Sequence, residues 1–395
     1  MRILFLTQLL PLPLDAGAKT RSYYVLRYLA EAGHEISLVC FTRPGDSHQW
    51  IADLCRICSR VETVPMVRSR GKDISIGLAS LFSETPFLIR RDDVAEMWRK
   101  LAVVAEKRSF DAVHVDQLWM APYGLGCTNV PLRVLDQHNA VFLAARRTAQ
   151  QSGNPLMRVI VENEAKKLEA YERTTCRKFD RVVWVTDADR RAVTPVMEPQ
   201  NGHDRTIPIA TDPRERPSIE RPQPFRVTFL GGMHWPPNAQ GIEWFADSIW
   251  PTVAAAVPSA VLTIAGKKPP RRLLKLSKTP RAEVMGYVPD LTKLLSETAV
   301  FIVPLRAGAG MRVKILDAWC WRLPVVSTTI GAEGMESHSG DNLLLADDEE
   351  SFAHCVIAVL RNPHLANRLC ENGRTTVEEF YDWKKVYVAW DQIYH

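Results

Sequence analysis

Two cationic residues, Arg312 and Lys314, stand just beyond a turn of small residues, 307–310. The apolar run 300–305 ahead of this turn predicts a buried strand, and residues 311–321 predict a helix. A glycine-containing turn between a strand and a helix leaves backbone N–H groups free at the helix N-terminus, where they can bind a phosphate. Because the helix dipole disfavours positive charge at that end, the two cations indicate an anionic ligand. A solvated basic turn with a structural role is the alternative.

Polar residues also end two predicted strands in the first half of the chain. Asp116 and Gln117 follow one of these strands, and His138 and Asn139 follow the next. In open α/β sheets, the carboxyl ends of the strands border the crevice that binds ligands. A neutral imidazole can hydrogen-bond a ligand hydroxyl, and an imidazolium can steady a phosphate, so His138 is a candidate for chemistry. A structural histidine at a strand end is the alternative.

Three further strand ends carry residues suited to close approach of an anion. Gly17 lies in the turn after the first predicted strand, and Gly231 and Gly232 follow a strand in the second half. Glycine lets a ligand come close to the backbone. Lys267 and Lys268 end the next strand with two ammonium groups that could counter phosphate charge. A plain turn at Gly17 and a solvated lysine pair are the alternatives.

Segments with the apolar content of buried strands alternate with helix-length segments along the whole chain. They are residues 2–7, 35–41, 112–115, 133–136 and 181–186 in the first half, and 226–231, 260–265, 282–286, 300–303, 325–327 and 342–345 in the second. Strands separated by helices imply parallel sheets that are covered on both faces. The proline- and charge-rich stretch 208–224 lacks periodicity and is the predicted linker. We therefore expect an α/β chain with two doubly wound, Rossmann-like domains, 1–207 and 225–381, that face each other across a cleft.

The segment 304–334 resembles the donor-site signature of the GT-B-fold retaining glycosyltransferases of family 4, the glycosyl transferases group 1. That signature often reads P-L-R-x-G-x-G-x-R-x-K-I-L-E-A, followed by a strand and G-A-E-G. The residues that fit it here are Pro304, Leu305, Arg306, Gly308, Gly310, Arg312, Lys314, Ile315, Leu316, Ala318, Pro324, Val325, Val326, Ser327, Gly331, Ala332, Glu333 and Gly334. Residues 229–238 and 285–290 resemble two further segments of the same family. One departure is that Ala309 and Asp317 stand where the family has a pair of glutamates.

The resemblance implies transfer of a sugar, with retention of anomeric configuration, from a UDP- or GDP-linked donor to a glycan, lipid-linked or small-molecule acceptor. It places the donor mainly in the second domain and the acceptor mainly in the first, with residues 382–395 returning to the first domain. The donor-binding residues that it implies are Gly17, Gly231, Gly232, Lys267, Lys268, Tyr287, Val288, Gly308, Ala309, Gly310, Met311, Arg312, Lys314 and Asp317. The acceptor-binding residues are Asp116, Gln117 and Asn139, and the catalytic residues are His138, Asp317 and Arg312.

Two other classes stay open, an NDP-sugar epimerase and a catalytically inactive nucleotide-sugar-binding module. The second is consistent with Ala309 and Asp317. Neither a metal nor a cofactor is expected, because basic side chains can meet the charge of the leaving diphosphate, with the nucleotide sugar as co-substrate. Asp187 and Asp189 form a literal D-x-D, but they are predicted to cap a helix, and Cys55 lies in a lone C-x-x-C that does not indicate zinc.

The formal net charge of +5 over 395 residues comes entirely from residues 1–207. Basic residues there, such as Arg146 and Arg147, are interleaved with apolar residues such as Met97 and Leu101. This pattern indicates peripheral contact with an anionic membrane or a phosphate-bearing acceptor, and a solvated face is the alternative. No nucleic-acid partner is expected. The chain shows no signal-peptide pattern and no apolar run near the ~20 residues of a membrane span. We therefore expect a cytoplasmic protein, peripheral at the inner membrane face.

Overall fold

The computed structural model describes residues 1–151, 153–194, 204–215, 225–276 and 281–395. The chain forms two compact units. The first unit comprises residues 1–211, 309–311 and 383–395, and the second comprises residues 212–308 and 312–382. The predicted linker 208–224 lies outside the described residues from residue 216 onward.

In the described part of the first unit, seven parallel strands pair in the order β3-β2-β1-β4-β5-β6-β7. They are β1 Arg2–Thr7, β2 Glu35–Thr42, β3 Arg60–Pro65, β4 Ala112–Asp116, β5 Leu132–Gln137, β6 Arg181–Trp184 and β7 Arg205–Thr206. Alternate residues of β1 enter different hydrophobic clusters, with Leu4 and Leu6 in one and Ile3 and Phe5 in the other. Both faces of the sheet are therefore buried, which explains why its central strands read as continuous apolar runs.

Helices of the first unit connect these strands. They are α1 Gly17–Glu31, α2 His48–Leu54, α3 Arg70–Leu81, α4 Phe87–Arg91, α5 Ala95–Lys107, α6 Ala121–Gly126, α7 Val141–Gln150, α8 Pro155–Cys176 and α9 Asp187–Val193. The start of α8 shows how the sequence sets a boundary. Asn154 accepts hydrogen bonds from the backbone N–H groups of Leu156 and Met157, and Pro155 occupies the first helical position.

The second unit repeats this plan. Its described residues contain six parallel strands in the order β10-β9-β8-β11-β12-β13, bounded as β8 Arg226–Leu230, β9 Val261–Ala265, β10 Ala282–Gly286, β11 Thr298–Val303, β12 Val325–Ser327 and β13 Leu344–Leu345. Its helices are α10 Pro236–Trp244, α11 Trp250–Ala256, α12 Arg271–Leu276, α13 Thr292–Ser296, α14 Val313–Cys320, α15 Glu349–Arg361 and α16 Pro363–Phe380, and a π-helical turn, Phe245–Ile249, joins α10 to α11. In both units the strand order reverses direction beside the first strand of the unit, as in doubly wound folds.

The last residues of the chain complete the first unit. Helix α17 Trp383–Val386 and the 3₁₀ turn Tyr387–Gln392 follow α16. Trp383 and Trp390 are fully buried in the cluster that also holds Tyr24 of α1. The backbone N–H of Trp383 donates to Thr211 O at 3.1 Å. These contacts explain why residues 383–395 belong with the N-terminal part of the chain.

The predicted fold class, α/β with two doubly wound Rossmann-like domains, is confirmed by the two parallel sheets. Strands β3 and β7 were missed, because β3 is a half-polar edge strand paired on one side only and β7 has two residues. The helix predicted over 311–321 begins later, at Val313, so Arg312 precedes it and Lys314 lies in its first turn. Within the described residues, none of the helices has both the length and the apolar composition needed to cross a bilayer.

Candidate active site

The carboxyl ends of three neighbouring strands bring buried polar side chains together in the first unit. The sheet register aligns Thr7 of β1 with Asp116 of β4, and Asp116 with Asp136 of β5. His138 lies two residues beyond Asp136. Its Nε2 atom is 2.9 Å from Asp116 Oδ1 and 3.7 Å from Asp136 Oδ2. Two of the residues predicted from sequence, Asp116 and His138, thus form an ion pair.

Helix α1 supplies a buried cation to this cluster. The Arg21 guanidinium donates from Nε and Nη2 to the two oxygens of Asp136, at 2.9 and 3.0 Å. Its Nη1 atom donates to Pro208 O at 2.8 Å and to the Tyr387 hydroxyl at 3.4 Å. A two-point contact of this kind fixes both charge and orientation. Asp136 is therefore neutralised mainly by Arg21, and Asp116 is the closer carboxylate to His138.

Asp116 and His138 are each held by further hydrogen bonds. Asp116 Oδ2 accepts from the hydroxyls of Thr7 and Ser22, at 2.8 and 3.0 Å, which leaves Oδ1 for the histidine. The side-chain amide of Gln117 lies 2.9 Å from His138 Nδ1. Gln117 has φ +74° and ψ 157°, a backbone conformation that residues other than glycine rarely adopt. Both ring nitrogens of His138 therefore have a partner. Asp116 lies at Nε2, and the strained residue Gln117 lies at Nδ1.

The charges of the cluster balance when His138 is protonated. Burial alone would lower the pKa of His138, but the carboxylates of Asp116 and Asp136 outweigh it and raise the pKa to about 9. Burial opposes ionisation of Asp136, yet Arg21 and His138 hold its pKa well below the usual range. Two cations and two carboxylates thus share one buried site. Because both ring nitrogens of an imidazolium donate, Gln117 must present its amide oxygen to Nδ1, which a half-turn of the amide achieves.

His114, Asp116 and Asp136 have ligand atoms within 4.8 Å of one another, a spacing that could hold a metal ion. The contacts of these groups argue against that use. Asp136 is engaged by Arg21, and Asp116 by His138 and two hydroxyls. His114 Nδ1 lies 2.6 Å from the Tyr394 hydroxyl, and burial lowers the pKa of His114 to about 4 despite Asp136. A metal would have to displace two cations that already balance the carboxylates.

A cavity of about 170 Å³ opens onto this cluster within the first unit. Its lining consists of Gly17, Ala18, Gln117, Leu118, Trp119, Gln137, His138, Asn139, Val141, Ile209, Ala309, Gly310 and Met311. Seven of the residues predicted from sequence as catalytic, donor-binding or acceptor-binding therefore meet around it: Gly17, Gln117, His138, Asn139, Ala309, Gly310 and Met311. Gly310 has φ +77°, and a Cβ atom there would lie 2.8 Å from His138 O. Only glycine fits this close approach.

A second set of predicted residues meets in the second unit, where β8 ends. Lys314 Nζ donates to Asn238 Oδ1 at 2.7 Å and lies 4.8 Å from the centre of the Phe229 ring. A Cβ atom on Gly231 would come within 2.8 Å of that Nζ atom. Burial and the neighbouring Arg312 lower the pKa of Lys314 to about 7. Lys314 is thus a cation whose charge its surroundings disfavour.

Arg312 is buried beside this lysine, immediately before α14. Its guanidinium lies 5.9 Å from the centre of the Trp235 ring, and Nη2 donates to Ile330 O at 3.5 Å. Gly308 lies against the same guanidinium. A strand end, a glycine and a helix start therefore converge with two cations, and the binding of a phosphate there stays a prediction.

The remaining predicted donor residues are more exposed. Lys267 lies with its Nζ atom 4.3 Å from the centre of the Tyr287 ring. Lys268 is exposed with φ +57°, Val288 and Gly232 are half-buried, and Asp317 is half-buried on α14. In the first unit, both aspartates of the literal D-x-D lie in the first turn of α9 and do not themselves form the cap that the sequence predicted. Asp189 accepts from the backbone N–H of Ala140 at 2.8 Å, and Thr186 caps α9.

Sequence reasoning missed several residues of these clusters, and four of them carry most of the contacts described. They are Arg21, Asp136, Asn238 and Trp235. The alternation of side chains in a strand could have found Asp136, because a residue two positions before His138 lies on the same face. No local pattern marks Arg21, whose partner is 115 positions away.

Comparison with known proteins bears on both units. Residues 224–362 match the sequence profile of the family described as Glycosyl transferases group 1. A protein of Klebsiella pneumoniae described as an uncharacterized 44.6 kDa protein in the cps region is 31% identical over 169 residues. That match covers 41% of this chain and 44% of the relative, so it spans less than half of the relative's length.

Two solved structures resemble the whole chain. The sucrose-phosphate synthase of Thermosynechococcus elongatus is 17% identical with a TM-score of 0.69, and the likeness covers 100% of this chain and 98% of the synthase. HepE of Anabaena, in complex with UDP and glucose, is 12% identical with a TM-score of 0.69, over 99% of this chain and 98% of HepE. At such identities the likeness establishes the fold. The chain therefore has the GT-B fold, and its residues 224–362 match the Glycosyl transferases group 1 family.

Proposed function

We propose that this chain transfers a sugar from a UDP- or GDP-linked donor to a glycan, lipid-linked or small-molecule acceptor, with retention of anomeric configuration. The donor binds mainly in the second unit and the acceptor mainly in the first. Acceptors linked to lipid would be reached at a membrane surface, so peripheral contact with an anionic membrane belongs to the same proposal.

The observation that carries this proposal is the cation pair of the second unit. Among the described residues, Arg312 is the charged group that lowers the pKa of Lys314, in addition to burial. The ammonium group of Lys314 donates a hydrogen bond to the neutral side-chain amide of Asn238. Arg312 is buried and Lys314 half-buried. Two cations side by side repel each other, and the repulsion grows as water is excluded. A diphosphate would relieve it. The group 1 family match of residues 224–362 supports a nucleotide sugar as the source of that diphosphate, and HepE, of the same fold, was crystallised with UDP and glucose.

The chemistry that these residues provide is electrostatic. In the transfer step the bond between the anomeric carbon and the diphosphate breaks, and negative charge grows on the leaving group. Arg312 and Lys314 meet that charge with cations already in place, a contribution that can be large in a site shielded from water. In the first unit, the His138 imidazolium and Asn139 line a cavity where hydroxyl groups of a sugar or an acceptor can bind. Retention follows from the family resemblance, with the acceptor attacking the face that the leaving group vacates.

A catalytically inactive nucleotide-sugar-binding module is the second candidate, favoured by one observation. Ala309 lines the cavity of the first unit and has no carboxylate, where similar glycosyltransferases have glutamate. An NDP-sugar epimerase remains the third. Mass spectrometry separates them, because only a transferase yields a glycosylated acceptor, while an epimerase yields an isomeric nucleotide sugar and a binding module yields neither.

The test uses the full chain with UDP- and GDP-linked hexoses and a panel of lipid-linked and soluble glycan acceptors. We expect release of a nucleoside diphosphate and a glycosylated acceptor. Lys314→Ala should weaken nucleotide affinity roughly ten- to a hundred-fold, the scale of a charge-assisted contact. Lys293→Ala is the matched control, since Lys293 is exposed on α13 of the same unit. Equal affinity in wild type, Lys314→Ala and Lys293→Ala would contradict the diphosphate site.

A further inference from the structure

Two large apolar residues of helix α3, and the phenylalanine that ends it, face solvent. Ile74, Leu78 and Phe82 are spaced four residues apart, on α3 and the residue that ends it, and are 64%, 61% and 94% exposed. The smaller residues Gly77 and Ser80 lie on the inner side of the helix. Gly77 packs against the Phe87 ring, and the carbonyl of Ser80 accepts a hydrogen bond from Lys167. A surface helix of a globular protein normally buries its apolar stripe. Here the stripe faces outward.

The first turns of α8 carry a second group of exposed apolar residues. Leu156 and Val159 are 69% and 66% exposed, and Met157 and Ile160 are also exposed. Leu156 and Ile160 stand eight and four residues before Glu164, so all three share one helix face. Glu164 accepts a hydrogen bond from the backbone N–H of Phe87, at the start of α4.

The helices that carry the two groups touch in the first unit. Lys167 of α8 donates to the carbonyl of Ser80 near the end of α3, and Glu164 binds the start of α4. Leu156 and Ile160 lie roughly 6–12 Å along α8 from that contact, at 1.5 Å per residue. We name the seven residues Ile74, Leu78, Phe82, Leu156, Met157, Val159 and Ile160 the apolar surface.

The two segments that carry the apolar surface are rich in positive charge. Residues 66–91 hold five Lys and Arg against two Asp and Glu, and residues 142–167 hold the same numbers. The net charge of each segment is +3, so their sum of +6 exceeds the net charge of +5 of the whole chain. Arg90 and Arg158 are exposed within them. The sequence pattern had associated the basic residues with Met97 and Leu101, but the structure buries both of these in the core.

We propose that the first unit docks on an anionic membrane, with the apolar surface inserted at the lipid interface and exposed basic residues of the same two segments, such as Arg90 and Arg158, against the headgroups. Exposed apolar side chains next to basic ones characterise helices that lie in the membrane interface. The composition argues against a protein partner, because binding hot spots are enriched in Trp, Tyr and Arg and poor in Leu and Val. This inference deepens the proposed function. It rests on that function in one respect only, because a lipid-linked acceptor would give the protein a reason to lie at a membrane.

The test is co-sedimentation of the full chain with vesicles of phosphatidylcholine alone or mixed with phosphatidylglycerol. We expect binding to the mixed vesicles, weakened by salt. The triple variant Ile74→Ser/Leu78→Ser/Phe82→Ser should bind them roughly a hundred-fold more weakly, because three partly inserted side chains are lost. The matched control is Leu274→Ser/Phe380→Ser, which removes two exposed apolar residues from the second unit and should bind like wild type.

Three results would overturn the proposal. The wild-type chain could stay in solution with mixed vesicles, or the triple variant could sediment with them as the wild type does. Light scattering could also show that the wild-type chain self-associates through these residues. Circular dichroism and the thermal shift with UDP or GDP report on fold and nucleotide site in the same samples. Wild-type chain that binds nucleotide but does not bind mixed vesicles rejects the docking surface alone, whereas wild-type chain that binds no nucleotide rejects the proposed function.

Discussion

Asp116→Asn tests whether His138 is an imidazolium at neutral pH. The pKa of His138 in the folded chain is raised from 6.5 to about 9, mainly by Asp116 against the opposing effect of burial. A shift of this size corresponds to about 3 kcal/mol of folding free energy, as an order of magnitude. Asparagine keeps the shape of the side chain and can still accept from Thr7 and Ser22, so the variant removes chiefly the charge.

The sign of the effect follows from the direction of the shift. Because the pKa is raised on folding, the stabilisation from protonated His138 is fully present below pH 6.5 and is lost as pH rises through about 9. In Asp116→Asn, burial should return the pKa of His138 towards or below 6.5. We therefore expect the variant to be less stable than wild type at low pH, with a difference that shrinks above pH 9.

Denaturant unfolding across this pH range measures the stability difference, and the carbon-13 shift of the His138 imidazole reports its titration directly. Asp187→Asn is the matched control, because Asp187 also follows a strand end and accepts from a hydroxyl, that of Thr206. It should leave the titration of His138 unchanged. A wild-type His138 that titrates near or below pH 6.5, or one indifferent to Asp116→Asn, would refute the charge balance proposed for the cluster.

Three further predictions concern binding and turnover. His138→Ala should lower the turnover number by about a hundred-fold or more while the thermal shift with nucleotide persists; near-normal turnover would remove His138 from the active site. Nucleotide affinity, measured by calorimetry, should fall as pH rises above about 7, because an anion favours the charged form of Lys314 and its pKa is lowered to about 7 in the free chain; a flat profile would contradict this. Asp317→Asn should raise the Michaelis constant for the donor with little change in unfolding temperature, and a silent change would make Asp317 an ordinary helix residue.

The fold was largely readable from the sequence where strands are buried on both faces. Strands such as β1 and β11 are continuous apolar runs, since helices cover the sheet on each side. Strand β3 escaped notice because an edge strand buries less, and its Arg60, Glu62 and Thr63 interrupt the apolar pattern. Local chemistry therefore marks the centre of a sheet better than its edge.

The candidate site was readable only in part. Small residues and cations near a helix start pointed to Arg312 and Lys314, because that chemistry is local. The partners that set the charge of His138 were not readable, since Arg21 comes from a helix more than a hundred residues earlier and reaches Asp136 only once the sheet has formed. The same limit applies to α3, where only the packing of Gly77 and Ser80 inward reveals that its apolar residues face outward.

Calorimetric titration of the wild-type chain with UDP and GDP tests the central claim most directly. We expect saturable binding of at least one of them at a single site, abolished or weakened roughly ten- to a hundred-fold in Arg312→Ala. A folded chain that binds neither nucleotide, or one whose affinity is the same in Arg312→Ala, would contradict the assignment of the second unit to a nucleotide-sugar donor.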